Sequence, residues 1–313
     1  MKRVLVLGSN GFIGRNLLAA LSGDRDVAVT GFGRKTPTDL NGNLRFVQGC
    51  IENPDSLEDA VQDQDIIYHL ISQTIPSSSW NEPEIDVEKN LIPTLNLIRS
   101  AADAGVKKIC FASSGGTVYG LNPSLLTERD ITDPFSPYGI IKRTIESFLE
   151  YARERHGINY DIYRISNAYG EGQDVTGGLG FINTALENIV NGRPVVVYGD
   201  GLSVRDFIHV KDVGRLLARS VHTDFDRSDV FNVSANRAVS LNELLQLIKK
   251  VTGADLEVEY REGRLNDNKK VMLDNSKIML ANPGYSLISL EDGIRETYNY
   301  LKKSSIYVEK SIR

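Results

Sequence analysis

Val4-Leu5-Val6-Leu7-Gly8-Ser9-Asn10-Gly11-Phe12-Ile13-Gly14 joins four consecutive apolar residues to three glycines spaced three apart. An unbroken apolar run is the mark of a parallel-sheet strand covered on both faces. The glycines permit a tight turn, close approach of a pyrophosphate, and close packing of the next helix on the strand. That helix would point free N–H groups and a partial positive charge at the phosphates. A glycine triplet alone is a common accident; the strand before it and Phe12-Ile13 after it give it weight. The stretch predicts a dinucleotide site built from Gly8, Gly11, Phe12, Ile13 and Gly14.

Working outward, short apolar runs recur at 27–30, 44–47, 66–71, 108–112 and 160–165. Helical patterns lie between them, over 12–22, 54–62, 84–104 and 137–156. This alternation predicts a right-handed, doubly wound α/β parallel sheet of the Rossmann kind. After about residue 170 the texture changes to glycine-rich loops, short strands at 195–198 and 230–233, and helices near 181–191, 210–221, 240–252 and 289–302. The expected organisation is a dinucleotide-binding domain over 1–170 with crossings from the C-terminal half, a smaller mixed α/β lobe over 171–302, and a tail over 303–313.

Composition excludes several classes. The 313 residues carry a net charge of −5, which disfavours a protein held to nucleic acid by phosphate contacts. The opening apolar run stops after four residues, too short for a signal peptide, and no stretch approaches a membrane span. Two cysteines, Cys50 and Cys110, suit a reducing, cytoplasmic setting. The four histidines have no metal-ligand spacing.

Far downstream, Ser136-Pro137-Tyr138-Gly139-Ile140-Ile141-Lys142 places a tyrosine and a lysine four residues apart at the start of a helix. A free phenol, with a pKa near 10, is a poor base at neutral pH. An ammonium one turn away on the same face would lower that pKa by stabilising the phenolate. Taken alone, Tyr-x-x-x-Lys is usually an ordinary helix surface. Here it follows Ala112-Ser113-Ser114-Gly115-Gly116-Thr117-Val118-Tyr119-Gly120, at the end of a parallel strand, where such sheets bind ligands. The choice of dinucleotide normally lies at the end of the second strand. Val29-Thr30-Gly31-Phe32-Gly33-Arg34-Lys35 has no acid there for a ribose 2′-hydroxyl, and Arg34 and Lys35 would suit a 2′-phosphate, so NAD and NADP both stay open.

These motifs, with His69, Asn90, Arg164-Ile165-Ser166-Asn167-Ala168-Tyr169-Gly170, Gly199-Asp200-Gly201 and Val204-Arg205-Asp206-Phe207-Ile208-His209-Val210, resemble the extended short-chain dehydrogenase/reductases. Within them the chain resembles the NAD-dependent epimerases and dehydratases of nucleotide sugars, typified by UDP-galactose 4-epimerase. The resemblance runs to about residue 302. It implies Tyr138 as general base and Lys142 as its partner on the nicotinamide ribose, with a hydroxyl from Ser114 or Thr117, or a water, beside them. It implies cofactor contacts from Arg34, Cys50, Ile51, Leu70, Ile71, Ser72 and Asn90. For the nucleotide sugar it implies Asn167 and the guanidinium groups of Arg205 and Arg264 at the diphosphate, Tyr198 stacked on uracil, Asp267 on ribose, and Val271 beside the hexose. Val271 is small enough to admit an N-acetyl group.

Three departures accompany the resemblance. Gly115 stands where the family usually has Ser or Thr, Cys50 replaces the aspartate that reads adenine, and the ribose acid is missing at Gly31. The resemblance implies a UDP-hexose 4-epimerase using bound NAD, with NADP open, acting on UDP-Glc/Gal or UDP-GlcNAc/GalNAc. The alternative is an NADPH-dependent nucleotide-4-keto-sugar reductase. A 4,6-dehydratase would need an acid-base pair that Gly115-Gly116-Thr117 does not supply, and a non-catalytic sensor of this fold would usually lack Tyr138 or Lys142. Broad apolar coverage of the helices over 84–104 and 137–156 predicts burial on two sides, the second against another copy in a homodimer.

Overall fold

In β1 (Lys2–Leu7), Leu5 and Leu7 face one side, Val4 and Val6 face the other, and all four are fully buried. Both faces of the strand are therefore core, as its unbroken apolar run requires. The computed structural model describes residues 1–37, 44–175, 180–263 and 269–311. Six further strands join β1: β2 (Val27–Gly33), β3 (Arg45–Gln48), β4 (Ile66–His69), β5 (Lys108–Ser114), β6 (Asn159–Ile165) and β7 (Asp229–Val233). Their order is β7-β6-β5-β4-β1-β2-β3, and every pairing is parallel. The order reverses between β1 and β4, so the crevice beyond their C-terminal ends is where this architecture binds ligands.

On one face, Leu57, Leu97, Ile145 and Leu149 pack from the helices Pro54–Val61, Ile92–Asp103 and Pro137–His156. On the other, Leu17, Val213, Leu216 and Ile278 pack from Phe12–Leu21, Val210–Ala218 and Ser276–Leu280. The C-terminal half therefore supplies both an edge strand and cover for the first sheet. A separate core joins Ile182, Leu186, Val197, Phe207, Leu244, Ile248 and Ile294. There the strand Val204–His209 lies between Asn167–Tyr169, parallel to it, and Ala238–Ser240, antiparallel. The helix Leu241–Thr252 starts with a capping box, Ser240 with Glu243.

Three elements differ from expectation. The helix expected over 84–104 is broken into Pro83–Asp86, a π turn at Val87–Leu91, and Ile92–Asp103. Pro93 has no N–H and its ring would crowd the carbonyl four residues back. The wider turn just before it relieves that conflict, and the Ile92 N–H bonds to Val87 O instead. The strand expected over 66–71 ends at His69, after one last bond from Leu70 N to Leu7 O at 3.1 Å. The final helix runs Leu290–Ser311, through most of the segment set apart as a tail.

The glycine turn depends on close contact. A Cβ on Gly14 would lie 2.1 Å from Gly8 O and 2.8 Å from Ser9 Cα. Gly14→Ala is expected to cost about 2–3 kcal/mol of stability by overpacking, read as a lower urea midpoint at unchanged slope.

Candidate active site

Ser136 caps the helix Pro137–His156, its Oγ accepting from Gly139 N at 3.2 Å, and Pro137 takes the first turn where no N–H is needed. Gly157, in the left-handed conformation at φ 71°, ends it. Tyr138 and Lys142 thus project from the first two turns of a well-ended helix, beside the ends of β4 and β5. Lys142 is buried. Its Nζ donates to Ala112 O at 3.0 Å and lies 5.5 Å from the centre of the Tyr138 ring. Burial pulls the lysine down to about 8, against the upward pull of Asp86 and Glu146.

The expected lowering of the phenol does not hold in the protein by itself. Burial pushes Tyr138 up to about 12; a hydrogen bond with Ser72 works against this, and the charge of Asp86 adds to it. One of the three ammonium protons of Lys142 goes to the Ala112 carbonyl, and a further positive charge near the phenol would favour its ionisation closer to neutral pH.

The loop after β5 rests on buried polar contacts. Arg164 on β6 grips Glu146 with two bonds, Nη2 to Oε2 at 2.7 Å and Nε to Oε1 at 3.2 Å. Ser113 Oγ donates to Glu146 Oε1 at 2.5 Å, and Arg164 Nη1 donates to Tyr119 OH at 3.0 Å. Tyr119 in turn donates to Asn232 Oδ1 on β7 at 2.7 Å. The loop carrying Ser114 and Thr117 is thereby tied to the Tyr138 helix and to two strands. Ser114 O accepts from Thr117 N and Val118 N. Thr117 Oγ1 is shielded from solvent and has no partner within the protein. A Cβ on Gly115 would fall 2.3 Å from Leu273 Cδ1, so Leu273 fills the space a serine there would need. Val271 is 3% exposed and packs with Val118, Tyr119, Leu126 and Leu273 behind this loop. Its side chain is part of that apolar cluster instead of an open sugar-facing wall, so it bears on the hexose only through the loop.

A second polar cluster lies under the π turn. Asn90 Oδ1 accepts from Gln73 N at 2.8 Å, and Asn90 Nδ2 donates to Thr74 Oγ1 at 2.9 Å. Thr74 donates to Asp86 Oδ1, while Asp86 Oδ2 is buried without a partner in the protein. Thr94 Oγ1 donates to Asn90 O at 2.6 Å and so accepts a hydrogen bond from His69 Nε2–H at 2.9 Å. Burial, and then the charge of Lys142, hold His69 down to about 3, so it stays neutral. Asn90 therefore fixes the 72–74 segment through its side chain. Asp86, Thr74, Glu146 and Arg164 escaped the sequence reading. The available signals were spacings of four residues, Asp86 to Asn90 and Lys142 to Glu146, which share a helix face.

At the glycine turn no side chain caps the helix Phe12–Leu21, and Gly11 N bonds back to Gly8 O at 2.9 Å. An uncapped helix start at a close-packed turn fits a pyrophosphate. A Cβ on Gly31 would meet Ser9 Oγ at 2.8 Å, whereas on Gly33, the last residue of β2, its nearest neighbours would be Asn10 and Phe46 at 3.7 Å. Gly33 thus has room for a side chain at the end of β2, and Gly31 does not. Arg34 is exposed just beyond, its carbonyl held by Gln48 Nε2 at 3.1 Å. Cys50 donates to Glu52, itself paired with Lys89. Ile51 is a core side chain, and Leu70 and Ile71 pack against the two cores of the sheet.

On the second lobe, half-buried Asn167 donates to Asp206 O at 2.9 Å, and half-buried Arg205 precedes Asp206. Asp206 accepts from Ala235 N at 2.9 Å and Arg237 N at 3.1 Å. Tyr198 is exposed at the end of Val195–Tyr198 and contacts Arg261 on the paired strand. Arg264 and Asp267 lie outside the described residues.

Residues 4–234 match the model of the NAD dependent epimerase/dehydratase family. The UDP-glucose 4-epimerase of Mycolicibacterium smegmatis is 30% identical over 318 residues, covering 97% of this chain and 99% of that protein. The structure of UDP-glucose 4-epimerase from Thermotoga maritima with UDP-glucose superposes with a TM-score of 0.88 at 31% identity, covering 97% of this chain and 99% of that one. That of Thermus thermophilus UDP-glucose 4-epimerase in complex with NAD gives 0.88 at 27% identity, over 96% and 99%.

Two measurements probe the site's framework. Glu146→Gln leaves the Arg164 charge buried with half its partner, and should lower unfolding free energy by about 3 kcal/mol in chemical denaturation. Gly115→Ser should cost about 1–3 kcal/mol, and adding Leu273→Ala should recover part of that loss; strictly additive losses would show that Leu273 is not the obstacle.

Proposed function

Because the chain belongs to the NAD-dependent epimerase/dehydratase family, we propose that it inverts C4 of a UDP-linked hexose, UDP-Glc/Gal or UDP-GlcNAc/GalNAc, through a 4-keto intermediate. The observation that carries this reading is the placement of Tyr138 and Lys142 at the ends of β4 and β5, across from the glycine turn at the end of β1. Bound NAD supplies an acceptor and donor for the C4 hydride, and its oxidised ring brings the positive charge that the Tyr138 phenol lacks in the protein alone. Tyr138 takes the proton of the C4 hydroxyl; once the keto sugar has turned, hydride would return to the opposite face of C4 and Tyr138 gives the proton back to the C4 oxygen. Thr117 Oγ1, without a partner in the protein, offers a hydrogen bond to the sugar's C4 oxygen. Lys142, which keeps two N–H donors beside its bond to Ala112 O, would hold the nicotinamide ribose. Asn167 and Arg205 hold the diphosphate, and Tyr198 lies against the base.

No net redox change occurs, so turnover needs no added reductant. Purified protein given UDP-galactose or UDP-GalNAc should form the C4 epimer. Stoichiometric consumption of NADPH with a 4-keto sugar and no epimer would favour the reductase instead. Tyr138→Phe should lower kcat by about 10³-fold, within the range for general acid–base groups, with UDP affinity changed less than a few-fold.

The same reading places the protein in the cytoplasm as a homodimer. Both cysteines are free, and no helix among the described residues is long and apolar enough to cross a membrane. Ile92, Ile140 and Tyr151 are 47%, 46% and 52% exposed on the helices that also pack on the sheet. Ile140→Glu with Tyr151→Asp should halve the mass seen by light scattering; an unchanged mass would refute this face.

A further inference from the structure

Tyr198 and Arg205, which take the base and the diphosphate in the proposed reaction, lie on either side of the turn Gly199-Asp200-Gly201. Gly199 and Gly201 are both in the left-handed region, at φ 86° and 75°. Glycine loses more conformational freedom on being fixed than any other residue. A turn of this kind keeps one form only where its neighbours hold it.

The start of the helix Leu241–Thr252 does this. The first N–H groups of a helix have no partner within it. Here Leu241 N donates to Ser203 O at 3.1 Å, and Asn242 N donates to Gly201 O at 3.0 Å. The Asn242 side chain adds a third bond, from Nδ2 to Asp200 O at 3.0 Å. Its Oδ1 accepts from the Tyr260 hydroxyl at 3.0 Å. Tyr260 stands on Val258–Arg261, the strand paired with Val195–Tyr198, so the amide is gripped at both ends. A flipped amide would set oxygen against the Asp200 carbonyl. A Cβ on Gly201 would fall 2.0 Å from Asn242 Oδ1, so only glycine at 201 lets the asparagine come this close. Gly199 N, bonded to Arg261 O at 2.8 Å, fixes the other end of the turn.

We propose that Asn242 is a positioning residue for the nucleotide, holding the Gly199–Gly201 turn in the form that sets Tyr198 and Arg205 for a nucleoside diphosphate. The proposal rests on the reading that these two residues bind the nucleotide. Asn242 acts on the ligand through the turn. By ordering two glycines before the ligand arrives, it removes an entropy cost that binding would otherwise carry. That cost is the same for the bound sugar and for the transition state at C4, because Tyr138 and Lys142 stand on a different element. Its loss therefore weakens binding and leaves the chemical step alone.

The test measures UDP affinity by titration calorimetry on NAD-loaded wild type, Asn242→Ala and Asn242→Leu. Leucine fills the same space as asparagine without its hydrogen bonds, so it separates the bonds from packing. Ser240 and Glu243 still cap the helix in both variants. Each should weaken UDP about tenfold through the lost preorganisation. With UDP-galactose, KM should rise by the same factor while kcat stays within about twofold, as expected when ground-state and transition-state binding fall together. In a double-mutant cycle with Tyr198→Ala, the two losses of UDP affinity should sum to less than additivity, because Asn242 acts through the residue it places. Wild-type UDP affinity in either Asn242 variant overturns the proposal, as does full additivity with Tyr198→Ala or a fall in kcat as large as the rise in KM. If wild type binds UDP but epimerises no UDP-hexose, the functional reading fails and the UDP affinities alone decide the role of Asn242. If wild type binds no UDP, both fail.

Discussion

The buried pair of Arg164 and Glu146 is the contact on which the site depends. It ties β6 to the helix carrying Tyr138 and Lys142, and through Ser113 and Tyr119 it also holds the loop after β5. Both partners are almost wholly enclosed, with side-chain exposures of 6% and 1%. A buried ion pair is a poor source of net stability compared with well-packed apolar groups, because both charges must leave water. What it contributes here is geometric. Two parallel bonds between planar groups admit little rotation, so the helix cannot slide along the sheet without breaking both. Glu146 also lies one turn beyond Lys142, where its charge helps keep a buried ammonium protonated.

The electrostatics of the protein alone are set against premature reaction. Tyr138 holds its proton, and the lysine that should assist it is turned to a backbone carbonyl. Two acidic groups act on the pair, Asp86 and Glu146, while buried His69 stays neutral beside Lys142. Such a site is balanced for the arrival of a cation. A positively charged ring placed against the phenol would favour its ionisation, and reduction of that ring would remove the charge when the phenol must hold its proton. Base strength is thus coupled to the redox state of the bound group by simple Coulomb interaction.

Most of the fold was legible because it rests on periodicity. Val4-Leu5-Val6-Leu7 shows continuous burial, and the strand-helix alternation up to Ile165 leaves few other topologies. Tyr138 and Lys142 were legible because a fixed spacing carries their chemistry. What was not legible came from contacts remote in sequence. The π turn depends on how Pro93 meets a helix that must also deliver Asn90. The place of Val271 depends on Leu126 and Tyr119, and the role of Gly115 on Leu273. The room at Gly33 and the lack of it at Gly31 emerge only with β2 extending three residues beyond its apolar run, a boundary that local pattern defines poorly.

Leu273 standing where a side chain at Gly115 would sit has a consequence for how such a site changes over generations. Glycine at one position and leucine at the other form a mutually locked pair. A return to serine at 115 is penalised while the leucine remains, and trimming the leucine first opens a void in the cluster with Val118, Tyr119 and Val271. Each single step is downhill in stability, and the double change recovers only part of the loss at residue 115. A hydroxyl serving this phenol is therefore more cheaply placed elsewhere around the site than at residue 115.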